Sequence, residues 1–152
     1  MDDQATAGLL ALSAGAIIIS LIWAIAAYLL TAFALNAMAK RQGAEDAFLA
    51  FIPIVQLKVW GDLVEQKLPD FLKPQAGWKT VWIVVGCIIL NLIPIINILA
   101  YIVSIVFGIW LMYLLLERYG SNAVLFTILH IITCSVFFPL HVFLIRKNEP
   151  HY

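Results

Sequence analysis

The sequence predicts an all-α integral membrane protein with about four transmembrane helices and one amphipathic interfacial helix. Three observations predict it. Only 12% of the residues are charged, against 64% hydrophobic, whereas a soluble domain carries about 25% charged residues. The charges also avoid long stretches: none occurs from Ala5 to Ala39, from Thr80 to Leu116, or from Ala123 to Ile145. About 20 apolar residues cross the hydrocarbon core of a bilayer, so each stretch is long enough to matter. Finally, every Lys and Arg lies outside these stretches, together with Pro53, Pro69, Pro74 and Gly77, where chain reversals belong.

The first span is expected over residues 7–37, in a single membrane domain of 152 residues. The chain starts Met-Asp-Asp-Gln; a secretory signal starts with a basic segment, so this run is expected to stay as a membrane helix. It is rich in small residues, among them Ala7, Gly8, Ala11, Ala14 and Gly15, which let helices approach closely in lipid. Tight packing within one monomer and an oligomer interface both account for them. Lys40, Arg41 and Gly43 end the helix.

Residues 53–67 are expected to form the interfacial helix, with Pro53 in its first turn. Leu57, Trp60, Val64 and Leu68 recur at helical spacing opposite Gln56, Asp62 and Glu65, and Lys58 meets Asp62 one turn on. Such a segment is too polar to span and too apolar to float free, which places it in the membrane surface. The stretch from Leu68 to Gly77 reads as a turn-rich connection.

The uncharged run from Thr80 to Leu116 would be a helix of about 55 Å, nearly twice the apolar thickness. Pro94 sits in its middle, flanked by Asn91 and Asn97, and a helix-interior proline loses a hydrogen bond. Two spans are therefore expected, over 79–92 and 97–117. The last is expected over 122–145, with a kink at Pro139.

Basic residues orient the bundle. Lys40, Arg41, Lys58, Lys67, Lys73, Lys79 and Arg118 fall on one side of a four-span arrangement, and Arg146 and Lys147 on the other. The richer side is cytoplasmic, so the amino terminus is expected outside and residues 40–79 in the cytoplasm of a cell membrane. A three-span alternative, with 80–116 as one bent helix, places eight against one.

Phe51-Ile-Pro-Ile-Val-Gln-Leu57 echoes Leu92-Ile-Pro-Ile-Ile-Asn-Ile98; duplicated membrane halves and coincidence within apolar sequence both account for it. Together with Lys40-Arg-Gln-Gly43, Trp78 and Arg118-Tyr-Gly120, these segments resemble a family of small bacterial multi-pass membrane proteins that carry a domain of unknown function (the DUF5684 type). The resemblance covers residues 38–145. The chain departs from it at Gln56, where the family has Asn, and at Ala47-Phe48, where Trp is common. The resemblance implies architecture and no activity.

No catalytic motif appears: no paired carboxylates in a span, no phosphate-binding glycine loop, no metalloprotease or nucleophile-elbow pattern. The balance of nine basic and nine acidic residues gives no sign of a nucleic-acid partner. Cys87 and Cys134 lack paired or metal-type spacing, and no cofactor or metal is expected.

The polar groups at depth are the candidate sites: Asn91, Asn97, His130 and Cys134. On one continuous helix, His130, Cys134 and His141 share a face, with the histidines about 16 Å apart, too far to hold one metal together. Intramembrane histidine suggests a proton relay or ligand, and a neutral histidine bonded to a neighbouring helix is the structural alternative. Asn91 and Asn97 either line a polar cavity or cap the helix ends around Pro94. The expected function is a non-enzymatic subunit, scaffold or accessory factor of a larger membrane complex. Its partners are the lipid bilayer and another membrane protein. The alternative is a pore or small transporter acting as a homo-oligomer; a membrane enzyme built on His130 is a third reading.

Overall fold

The computed structural model describes residues 3–152, and all the regular structure among them is helical. Helix α1 covers Asp3–Arg41, α2 Gln56–Leu63, α3 Ala76–Leu90, α4 Ile96–Tyr119, α5 Ala123–Ile132 and α6 Phe138–Ile145. Two short 3-10 turns, Ala47–Phe51 and Glu65–Lys67, flank α2. Two helices, α1 and α4, are long and apolar enough to cross a membrane; α3 and α5 are apolar but shorter.

Three consecutive helices start in the same way. Pro53-Ile54, Pro74-Gln75 and Pro94-Ile95 lead into α2, α3 and α4, and in each pair the residue after proline has positive φ: 68° at Ile54, 59° at Gln75 and 78° at Ile95. The Val55 N–H reaches the Pro53 carbonyl at 2.8 Å, the mark of a γ-turn at Ile54. Proline fixes the approach and ends the preceding element, and the left-handed residue turns the chain into the next helix. The Ile-Pro-Ile echo is therefore one turn used twice, at 52–56 and at 93–97. Around the second, the uncharged run 80–116 divides into α3 and α4. Pro53 stands in the turn before α2, not in its first helical turn as expected.

The core sits at one end of the molecule. Leu35 and Met38 of α1, Leu63 and Val64 at the end of α2, Leu115, Leu116 and Tyr119 of α4, and Val142 of α6 are all almost fully buried. Helices α2 and α3 cross at two glycines. A Cβ on Gly61 would lie 2.9 Å from the Ala76 carbonyl oxygen, and one on Gly77 would overlap the Lys58 carbonyl and the Asp62 carboxylate. The Gly77 N–H donates to Asp62 Oδ1 at 2.9 Å, closing the contact.

The stripe expected to face lipid faces protein. Val64 and Leu68 are buried, and Trp60 stacks on Phe138 with ring centroids 5.4 Å apart while its indole N–H donates to the Leu111 carbonyl at 3.2 Å. The buried face of the helix is Val59, Gly61, Leu63 and Val64, while Leu57 and Trp60 are half-buried, so the interfacial-helix reading of Leu57, Trp60 and Val64 is corrected both in the face and in what covers it. Lys58 pairs with Asp62 at 2.8 Å and also with Asp46. Burial works against the Lys58 charge, but these two carboxylates outweigh it and raise its pKa.

All nine basic residues lie at this same end. Lys67 pairs with Glu117 at 3.7 Å, Arg118 donates to the Leu63 carbonyl, and Arg41 reaches Glu149 at 3.9 Å. The tail returns to the foot of α4: the His151 N–H donates to the Arg118 carbonyl at 2.8 Å, and the Asn148 amide to the Tyr119 carbonyl at 2.7 Å. The Tyr152 hydroxyl donates to the Leu114 carbonyl at 3.1 Å; burial, with the Glu117 carboxylate nearby, pushes its pKa up to about 12. Away from this end the molecule is apolar and bare. No described side chain from Gln4 to Ile25 is buried, and Leu92 and Ile95 at the far turn are among the most exposed residues.

Candidate functional site

The expected last span, 122–145, is two helices. Asn122 caps α5, its side chain accepting the Leu125 N–H at 3.2 Å. After Ile132 the chain breaks at Cys134 and Ser135, both left-handed with φ of 50° and 58°. The Ser135 N–H bonds the His130 carbonyl at 2.6 Å, and the Thr133 hydroxyl bonds the Leu129 carbonyl at 2.9 Å, so the freed carbonyls of α5 are satisfied locally. Pro139 then stands in the first turn of α6, where a missing N–H costs nothing. It starts a helix instead of kinking one.

The consequence corrects the expected 16 Å separation. Because α6 folds back, His130 Nε2 lies 2.8 Å from His141 Nδ1. His130 is 2% exposed. Its ring meets Phe138 edge-on at 5.4 Å, and Phe126 covers His141 at 4.4 Å. One imidazole donates in this bond and the other accepts. Either way His130 Nδ1 is left buried with no hydrogen-bond partner, as is the Thr127 hydroxyl one turn earlier on the same face of α5. Two orphaned polar atoms thus lie beside a bonded histidine pair between α5 and α6.

The other expected site residues do not join it. Cys134 is exposed in the turn. Asn91 donates back to the Cys87 carbonyl at 2.8 Å, which caps α3. Asn97 is exposed on the first turn of α4. No group of three His, Cys, Asp or Glu side chains fit for a metal ion occurs among the described residues. A largely apolar cavity of about 320 Å³ lies beside the hairpin, between Thr31 of α1, Trp60 of α2, Ser104, Gly108 and Met112 of α4, and Ser135 and Phe138. The hydroxyls of Thr31 and Ser104 bond back to their own helices.

Sequence reasoning named His141 but could not pair it with His130, because Cys134 and Ser135 are not helix breakers. It also missed Thr127, and it missed Arg118 as a buried cation. Comparison with known family models, curated proteins and solved structures finds no match.

Proposed function

We propose that this chain is a small integral membrane protein that serves as a non-enzymatic subunit of a larger membrane complex, docking through the amino-terminal half of α1. In this reading α1, α3 and α4 cross the bilayer, and α5 and α6 enter it from the charged side and return. Helices of 10 and 8 residues reach only about 15 Å and 12 Å. With the hairpin re-entrant, all nine basic residues share one side, an asymmetry stronger than either arrangement read from sequence, and that side is cytoplasmic.

The observation that carries the docking reading is a mismatch of length. The uncharged part of the span in α1, residues 6–39, is about 51 Å long. Fitting it into about 30 Å of hydrocarbon takes a tilt of about 54°, beyond the range of about 0–40° seen for membrane helices. Held nearer upright, its Leu9, Leu10 and Leu12, each more than 60% exposed, need cover from another protein.

A second reading, a small homo-oligomeric transporter, is favoured by one observation: the histidine pair between two half-helices, the arrangement in which broken membrane helices hold ions. One experiment separates the two. A photo-cross-linking residue at position 12, activated in intact membranes, gives an adduct with a different membrane protein under the subunit reading. A ladder of multiples of this chain, with proton flux in liposomes lost in His130→Leu, supports the transporter instead. No protein adduct of either kind rejects docking through α1.

A further inference from the structure

Arg118 closes α4 at the charged end and is 4% exposed. One terminal nitrogen donates to the Leu63 carbonyl, and the guanidinium lies 5.9 Å and 5.3 Å from the ring centroids of Tyr119 and Tyr152. Its Nε has no hydrogen-bond partner. Among the described residues no carboxylate forms an ion pair with it: Glu117 turns to Lys67 at 3.7 Å, and Asp62 to Lys58 at 2.8 Å. A buried charge without a counter-ion is costly, and cation–π contact offsets only part of that cost.

Arg118 also lines a cavity of about 480 Å³ with Gln42, Asp62, Glu65, Gln66 and Lys73. Asp62 is already committed, one oxygen to the Gly77 N–H and the other to Lys58. Lys73 holds Asp70 at 2.8 Å at the exposed rim and is free to exchange it, since an exposed pair contributes little. Glu65 has no ion-pair partner among the described residues and is the one uncompensated carboxylate on the wall. The cavity thus has a buried cation in its lining, a second cation at its mouth and the amide of Gln66 beside them. It opens where the chain's charges gather.

We propose that this cavity binds a phosphate group, held by Arg118 and by Lys73, with Glu65 limiting its affinity. Arginine matches phosphate oxygens in bidentate geometry, and a bound phosphate supplies the missing counter-charge. The inference stands independently of the docking role of α1. The phosphate comes either from a phospholipid headgroup at the membrane surface or from solution.

The test uses the full-length protein in a neutral detergent. Titration with inorganic phosphate, followed by calorimetry, is expected to saturate. Lys73→Gln and Arg118→Lys should each weaken binding about tenfold, and Glu65→Gln should tighten it several-fold. If phosphate does not bind, native mass spectra decide: a phospholipid retained by the parent protein and lost in Lys73→Gln assigns the site to a headgroup. Should Arg118→Lys fail to fold, the two rim variants, Lys73→Gln and Glu65→Gln, carry the test. Absence of both phosphate binding and a retained lipid, or binding indifferent to Lys73 and Glu65, overturns the proposal.

Discussion

Replacing Gly77 by alanine is expected to separate α2 from α3 and to destabilise the charged end of the molecule by about 3 kcal/mol or more. The added methyl would overlap the Lys58 carbonyl and the Asp62 carboxylate. The first is backbone within a helix, and the second is pinned by Lys58 and by the Gly77 N–H itself, so neither gives way cheaply. Gly86→Ala on the same helix is the control. A Cβ there meets nothing within 4 Å, and alanine gains up to about 1 kcal/mol in helix propensity. Thermal unfolding in detergent, followed by size-exclusion chromatography, distinguishes them. Gly86→Ala should melt at or above the parent temperature and Gly77→Ala well below it. Equal melting of the two would remove the glycine crossing from the account.

The second large effect is expected at Trp60, where the alternatives differ most. As a membrane-surface anchor it would be replaceable at little cost. Stacked on Phe138 and bonded to the Leu111 carbonyl, it joins α2 to both α4 and α6. Trp60→Ala should therefore cost about 3–5 kcal/mol. Trp60→Phe, which keeps a ring and loses the N–H donor, should cost about 1 kcal/mol. The same melting assay reads both, and a Trp60→Ala protein as stable as Trp60→Phe would restore the lipid-facing reading.

What the sequence makes legible follows from which residues carry a local signal. The uncharged runs and Pro94 mark the long helices and the turn between α3 and α4, because charge and proline act without tertiary help. The Leu57–Trp60–Val64 stripe marks a helix with an apolar side but misses Val59 and Leu63 as its buried residues, and periodicity is the same whether lipid or protein covers that side. The break after α5 carries no such signal: Thr133, Cys134, Ser135 and Val136 include neither glycine nor proline, and only packing of α6 against α1 selects two left-handed residues there. The histidine pair depends on that break, so its two members were visible and their meeting was not. Arg118 is the reverse case. Its charge at the end of a long apolar run is plain in the sequence, but its burial beneath Tyr119 and the returning tail is set by tertiary packing alone.

The central claim is that α5 and α6 form a re-entrant hairpin, which returns residues 146–152 to the side that holds residue 42. Cysteine accessibility tests it most directly. In a background with Cys87→Ala and Cys134→Ser, single cysteines are placed at Gln4, Gln42, Gln75 and Pro150, and intact cells are treated with a membrane-impermeant thiol reagent. The account predicts that position 4 is labelled and that 42, 75 and 150 are all protected until the membrane is opened. Labelling at 150 in intact cells, with 42 and 75 still protected, would mean that residues 122–145 cross the membrane, and would contradict the hairpin.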